Sequence, residues 1–327
     1  MDGMFMRTII FNVEHGLCAF TVSPNGYGLL YDCGNRERFS PIKYVRMNYN
    51  AGEKNIRYHK GRRFAEFVVS HPHADHLSDI YRISKTGEDK PKILFRSKHW
   101  NKPLQDKVDE NSSENGRERS RLDVLRKYKD FQAEYTEETE SPDWGFDFFK
   151  ILSLSKDEAW EVSSNNVDKY FNNSSNILII GFAGRKILVP GDIEVEGWKK
   201  LLENEKYREA LMEVNFFVAS HHGHKSGFTS EIIEITGKPD LFIVSARSGD
   251  EQIDSSYSNR AYSKGFRLKG DSEPSRMVST RERNGAIVID VYKDGKAEVY
   301  VERNDDNLSK DQANFAKKKA ARALRHL

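Results

Sequence analysis

One short run limits what this chain can fold into: Ser70-His71-Pro72-His73-Ala74-Asp75-His76, set directly behind the apolar, strand-like stretch Phe64–Ser70 (FAEFVVS). Three imidazoles and one carboxylate fall within six residues. Imidazole and carboxylate ligands suit zinc, manganese and iron. Alternate residues of an extended chain point the same way, so His71 and His73 can converge on one ion. The turn that follows then presents Asp75 and His76 to a neighbouring position. A polar turn can carry one exposed histidine for no chemical reason. Three histidines and a carboxylate at this spacing behind a strand read as a ligand loop that supplies two metal sites.

A single loop cannot close two sites, so other strand ends must bring the remaining ligands. Leu188-Val189-Pro190-Gly191-Asp192 is an apolar strand ending in an acid, and Val218-Ala219-Ser220-His221-His222-Gly223 is one ending in a histidine pair. An Asp after Gly is by itself an ordinary turn residue. Between two histidine-terminated strands, Asp192 becomes a candidate bridge between two ions ~3.5–4 Å apart. Either His221 or His222 completes a site. The other is free to hydrogen-bond a substrate oxygen or donate a proton to a leaving group. Asp75 or Asp192 would orient the attacking water. Lys225 and Arg247 are candidate cations for a phosphoryl oxygen, with plain surface solubility as the alternative.

Around these motifs the chain alternates strand-like and polar segments. Arg7–Val13, Cys18–Val22 and Leu29–Asp32 read as opening strands, with a Pro and an Asn-Gly pair in the turn before the third. Phe146–Leu154, Ile177–Phe182, Lys186–Val189, Phe216–Ser220, Leu241–Ser245, Ala286–Val291 and Ala297–Val301 follow as strands, and Trp198–Met212 as one amphipathic helix. Residues 104–145 are dense in charge, with Leu122, Leu125, Tyr128 and Phe131 at helical spacing. They read as a mostly solvated helical insertion. The expected organisation is one α+β hydrolase domain over 1–303, carrying that insertion, and a basic helix over 304–327.

Composition excludes several classes. The 327 residues include 52 basic and 50 acidic side chains and 11% aromatics, so full disorder is excluded. Two cysteines, Cys18 and Cys33, exclude a disulfide scaffold and a Cys-rich zinc module. No apolar run is long enough to span a membrane, and no secretory leader is visible, so a cytoplasmic location without membrane partners is the expectation. Basic residues cluster at Arg57–Arg63 (RYHKGRR), at 260–269 beside Tyr262 and Phe266, and at Ala316–Arg325. Such patches suit a phosphodiester backbone.

Taken together, H-x-H-x-D-H, the later L-x-x-G-D and then H-H-G resemble the metallo-β-lactamase superfamily over roughly residues 7–301. F-N-V-E-H-G-L-C-A-F at 11–20 and L-L-Y-D-C-G at 29–34 resemble its opening hairpin. The resemblance implies a four-layered αββα sandwich with metal ligands at one rim. It also implies that His71, His73, Asp75, His76, Asp192, His221 and His222 supply the metal ligands. Asp32 would support the ligand loop by hydrogen bonds without binding metal. Within the superfamily the chain is most similar to the hydrolase domain of ComEC-type DNA-uptake channels and its stand-alone relatives, through Asn172–Leu178 (NNSSNIL), S-H-H-G and Ser279–Ile287 (STRERNGAI).

Two departures narrow the expectation. Where lactonases and thioesterases of this superfamily carry a histidine, the chain has Phe171-Asn172-Asn173-Ser174-Ser175, so one site is short of a nitrogen, with Asn172 or water in its place. The His-Pro that ComEC-type proteins carry after the H-H-G strand is also missing. The resemblance therefore implies a phosphodiesterase, a nuclease or nucleotide-directed enzyme using two divalent ions, Zn²⁺ or Mn²⁺. Catalysis would rest on Asp75, His221, His222 and Lys225. The alternatives are a small-ester, lactone or thioester hydrolase of the same fold, and a non-catalytic component with a protein partner in a defence or mobile-element system.

Overall fold

The computed structural model describes residues 5–50, 56–83, 87–110, 116–246 and 253–303. The basic segment 304–327 and Arg247 lie outside the described residues. The chain is α+β, with two mixed sheets. The larger sheet contains β1 (Phe5–Ile10), β2 (Ala19–Val22), β3 (Gly28–Tyr31), β4 (Phe64–Val68), β5 (Ile93–Phe95), β12 (Ala286–Tyr292) and β13 (Ala297–Glu302), in the order β13-β12-β1-β2-β3-β4-β5. The smaller contains β6 (Phe148–Leu152), β7 (Ile177–Phe182), β8 (Arg185–Val189), β9 (Phe216–Val218), β10 (Leu241–Val244) and β11 (Met277–Ser279), in the order β11-β10-β9-β8-β7-β6.

Strand periodicity accounts for the layering. Side chains alternate across a strand, and both faces of the inner strands are apolar. Ile10, Ala19, Leu29 and Val68 from the larger sheet share one buried cluster with Leu178, Ile180, Val189, Val218 and Ile243 from the smaller. The alternate residues face outward onto helices. Ile9, Phe11, Phe20 and Phe67 join a cluster with Ile42 and Val45 of the helix Pro41–Asn48 and with Tyr128 and Phe131. Ile177, Ile179, Leu188 and Phe217 join Trp198, Leu201 and Ile232 in that same cluster. Each large side chain buried this way contributes about 1.5–3 kcal/mol.

One expectation changes. Trp198–Met212 is not one helix. It is split into Val195–Leu202 and Glu205–Leu211, because the Asn204 side chain accepts from the Lys206 amide at 3.0 Å and starts a new helix. Most described residues of the charged insertion are at least partly exposed, but the insertion also contributes to the core. Its helix Gly116–Ala133 buries Leu122, Leu125, Tyr128 and Phe131 and packs against the short helices Ala74–Leu77 and Ile80–Ile83. The charge density belongs to its outer face, while its apolar stripe is core.

Strand direction brings the motifs to one rim. β1 is antiparallel to β2, β2 is antiparallel to β3, and β3 is parallel to β4. The C-terminal ends of β1, β3 and β4 therefore emerge on one edge. In the other sheet β8, β9 and β10 run parallel and β7 runs against β8. The ends of β8, β9 and β10 and the start of β7 thus share an edge. Asn176 clasps the two edges together: its amide donates to the Ser70 carbonyl at 2.8 Å, its side chain donates to the Val69 carbonyl at 2.8 Å, and its own carbonyl accepts from the Tyr31 hydroxyl at 2.7 Å.

Candidate metal centre

The site is built on Asp32, which follows β3 with a φ of 54° and is fully buried. Its carboxylate accepts from the Ser70 amide at 2.7 Å and the Ser70 hydroxyl at 2.6 Å, and it lies 2.7 Å from His76 Nδ1. Three contacts from one buried acid pin the loop that follows β4. A carboxylate can only accept, so Nδ1 of His76 carries a proton and Nε2 faces the centre.

At that centre Asp192 Oδ2 lies 3.3 Å from His76 Nε2, 3.2 Å from His222 Nε2 and 3.8 Å from His71 Nε2. His76 Nε2 and His222 Nε2 are themselves 3.4 Å apart. Asp75 Oδ2 flanks them, 3.7 Å from His76 Nε2 and 3.5 Å from His222 Nε2. His71, His76, Asp192 and His222 are buried, whereas the Asp75 side chain is 30% exposed. Gly191, at a φ of 64°, lets β8 turn tightly here, since a Cβ on it would sit 2.7 Å from the Ser70 Cβ.

The imidazoles and carboxylates of the cluster shift one another's protonation strongly. Burial opposes protonation of His76, yet Asp192, Asp32 and Asp75 outweigh it and raise that imidazole well above its usual range. His222 is likewise pushed up to about 9, with Asp192 and then Asp75 overcoming burial. Against its own burial, Asp192 is held well below the usual carboxylate range by His222 and His76. His71 is driven the other way, by burial first and then by its neighbours His76 and His73. A neutral His71 with an available ring nitrogen is a ligand in its binding form. The imidazoles and carboxylates are ligands of a type that suits a divalent cation, and they form groups close enough to hold a metal ion.

The other expected residues are placed as follows. His73 is offset from the centre, with Nδ1 3.0 Å from His71 Nε2 and Nε2 3.3 Å from Asp168 Oδ1. Lys107 also pairs with Asp168, which lies well below the usual carboxylate range through its bond to His73 and then, against burial, through Lys107. Of the histidine pair, His222 faces the cluster. His221 turns aside, its Nδ1 2.9 Å from the Ser226 hydroxyl and 3.9 Å from Glu194 Oε1. Both residues occupy the left-handed region, at φ 49° and 55°, and this unusual pair of backbone angles swings the two rings apart. Such strain collects at functional sites. Lys225 is exposed on the short turn Lys225–Gly227.

The Asn/Ser segment has a mainly structural part. Asn172 donates to Glu194 Oε1 at 2.9 Å, while its side-chain amide oxygen Oδ1 is buried without a hydrogen-bond partner. Asn173 accepts from the Glu194 amide at 3.1 Å, and Ser174 accepts from the Trp100 indole at 2.8 Å. Among the basic stretches, Arg63 is buried against Asp89 at 2.8 Å, and Lys269 pairs with Glu298 at 3.2 Å. Neither is a free cation for a phosphate.

Residues that motif reading passed over also reach the site. His15, in the loop after β1, places Nε2 3.8 Å from Asp75 Oδ2, with its ring 4.8 Å from that of His222. Glu194 and Asp168 form an outer ring behind His221 and His73. The signal for His15 was its place after a strand whose direction matches β3 and β4, which only the pairing reveals.

No helix among the described residues is long and apolar enough to cross a membrane. No protein-family model matches the chain, and no curated protein matches it.

Proposed function

We propose that this chain is a metal-dependent hydrolase on the metallo-β-lactamase plan, and that it cleaves phosphodiesters of a nucleic acid or nucleotide. The observation that carries the reading is the position of Asp192, whose Oδ2 lies within 3.3 Å of both His76 Nε2 and His222 Nε2 at the joined rim of two sheets. One carboxylate between two imidazoles from different strand ends is the arrangement a bridging ligand requires. His71 and His76 would hold one ion and Asp75 and His222 the other, with Asp192 within reach of both. When bound, two such ions, Zn²⁺ or Mn²⁺, lower the pKa of a shared water and withdraw charge from a phosphoryl oxygen.

The remaining work falls to the chain itself. Asp32 keeps His76 in one tautomer. Asp75, partly open to solvent, orients the attacking water. His221, whose side chain is 22% exposed, stands at the rim, where an imidazole can hand a proton to a departing oxygen. The phosphodiester class is supported by the Asn172–Ser175 segment, which stands where lactone- and thioester-cleaving relatives carry a histidine, and by its likeness to the ComEC-type pattern. A nucleic-acid substrate and any protein partner are part of this proposal.

The test is a metal-screened cleavage assay on plasmid, single-stranded DNA, RNA and bis-p-nitrophenyl phosphate, with a lactone and a thioester alongside. Turnover of a diester that Asp192→Ala abolishes supports the reading. Turnover of the lactone or thioester alone moves the enzyme to ester chemistry. Stoichiometric metal binding with no turnover of any substrate overturns the hydrolase reading in favour of a binding component. A polymeric substrate should also bind many-fold more weakly as salt rises from about 50 to about 200 mM.

A further inference from the structure

The loop between β1 and β2 is largely buried, with Glu14 half-buried and His15 exposed. The Glu14 amide donates to the Asn12 side chain at 3.3 Å, and Glu14 sits at a φ of 63°. Gly16 has a φ of 105°, and any side chain there would be driven into the Asp75 carbonyl. The Gly16 carbonyl accepts from the Ser245 hydroxyl at 2.8 Å, and the Leu17 carbonyl accepts from the Gly34 amide at 2.9 Å. The loop is thus wedged against the backbone of Asp75 and tied to the ends of β3 and β10. Its one projecting ring is His15, whose side chain is 48% exposed.

That ring joins Asp75 and His222 in a group whose ligand atoms all lie within 4.8 Å of one another. A second such group is His71, His76 and Asp192, all buried. The two groups share no residue, and Asp192 and Asp75 each stand close to His222. Without His15, the outer group has one imidazole and one carboxylate of its own, and reaches the three protein ligands usual at a catalytic metal site only by sharing Asp192 with the buried group.

We propose that His15 is the third protein ligand of the outer metal site, completing with Asp75 and His222 a second ion position beside the buried His71–His76–Asp192 position. This rests on the metal-dependent reading above and deepens it. The missing nitrogen is supplied from the first loop of the chain, in the other sheet from His222, so the outer site closes only when the two sheets are docked. The two positions also differ in access. The outer ion, bordered by the exposed His15 and the partly exposed Asp75, is the one that exchanges and meets substrate. The buried ion is the one retained.

The experiment compares wild type, His15→Gln and His76→Ala, each stripped with chelator, reloaded with Co²⁺ or Zn²⁺ and dialysed. Metal equivalents are counted by mass spectrometry, affinities are measured by calorimetry, and the Co²⁺ d–d absorption is recorded. His15 is half-exposed, so the stripped His15→Gln protein should melt as wild type does, within the small range of surface substitutions. The expected result is two equivalents in wild type. In His15→Gln, one equivalent is retained and the second weakened roughly tenfold or more, since loss of even an outer-shell partner costs 10–100-fold. The Co²⁺ spectrum loses the contribution of one site. Two equivalents with wild-type affinities and an unchanged spectrum in His15→Gln overturn the His15 assignment; if His76→Ala still loses metal, the metal-dependent reading survives. No uptake by wild type overturns both.

Discussion

Asp32 Oδ2 lies 2.7 Å from His76 Nδ1, with both side chains fully buried. The contact decides the chemistry of a residue the acid does not otherwise serve, because it commits the His76 proton to Nδ1 and leaves Nε2 facing Asp192. The same carboxylate holds the Ser70 amide and hydroxyl. A single acid at the end of β3 therefore sets both the path of the ligand loop and the orientation of its most central ring. Burial raises the Asp32 carboxyl, while His76 and Ser70 act against that shift.

Replacing Asp32 with Asn keeps a residue that tolerates the left-handed backbone and removes the charge. Metal affinity should fall by about 10–100-fold, read by calorimetry on the reloaded protein. Wild-type affinity in Asp32→Asn would mean that the ring is oriented by packing alone.

Chelation should lower the melting temperature. Ligand at 100 times its dissociation constant adds about 2.7 kcal/mol to stability, which for a chain of this size is a shift of several degrees. Scanning calorimetry with and without EDTA reads it. In His76→Ala the shift should shrink or vanish, because the buried position has lost a ligand.

Glu66 supplies a pH test away from the site. It is buried on β4, accepts from the Ser141 hydroxyl at 3.1 Å, and is pushed up to about 7 by burial, with the Ser141 bond opposing. A carboxyl raised in the folded state binds its proton more tightly there than in the unfolded chain. Its stabilising effect is complete below about pH 4.5 and is lost as the pH climbs through about 7. Glu66→Gln should therefore be more stable than wild type at pH 8, by up to about 3 kcal/mol. Near pH 4 the two should differ little. Denaturant midpoints at the two values check this, and a gain that does not depend on pH would contradict it.

Asn176→Ala should open the clasp between the sheets. The Val69 carbonyl loses its side-chain donor and the Ser97 hydroxyl loses its acceptor, at a cost of about 1–3 kcal/mol. Urea unfolding should show a lower midpoint with an unchanged slope. An unaltered midpoint would show that water replaces both bonds without loss.

Much of the architecture was legible along the chain. The longer strands announce themselves through β-branched and aromatic runs, and the Asn-Gly and Asp-Gly turns mark hairpins that do pair antiparallel. β5 and β11, of three residues each, are too short to display a period. They are strands because β4 and β10 offer them a free edge. The insertion helix was located by the spacing of Leu122, Leu125, Tyr128 and Phe131, but its burial was hidden by the charges between them.

The chemistry of the candidate centre was carried by residue type and local order: H-x-H-x-D-H after a strand, an acid after a second strand, and paired histidines after a third. What only the tertiary structure decided is which atoms meet. It turned His222 inward and His221 outward through two left-handed residues, moved His73 toward Asp168, and brought His15 to Asp75 and His222. The physical reason is that spacing along a chain governs directions over a few residues only. Convergence of side chains from strands far apart in sequence depends on how those strands pair, on which edge their ends emerge, and on the docking of one sheet against the other.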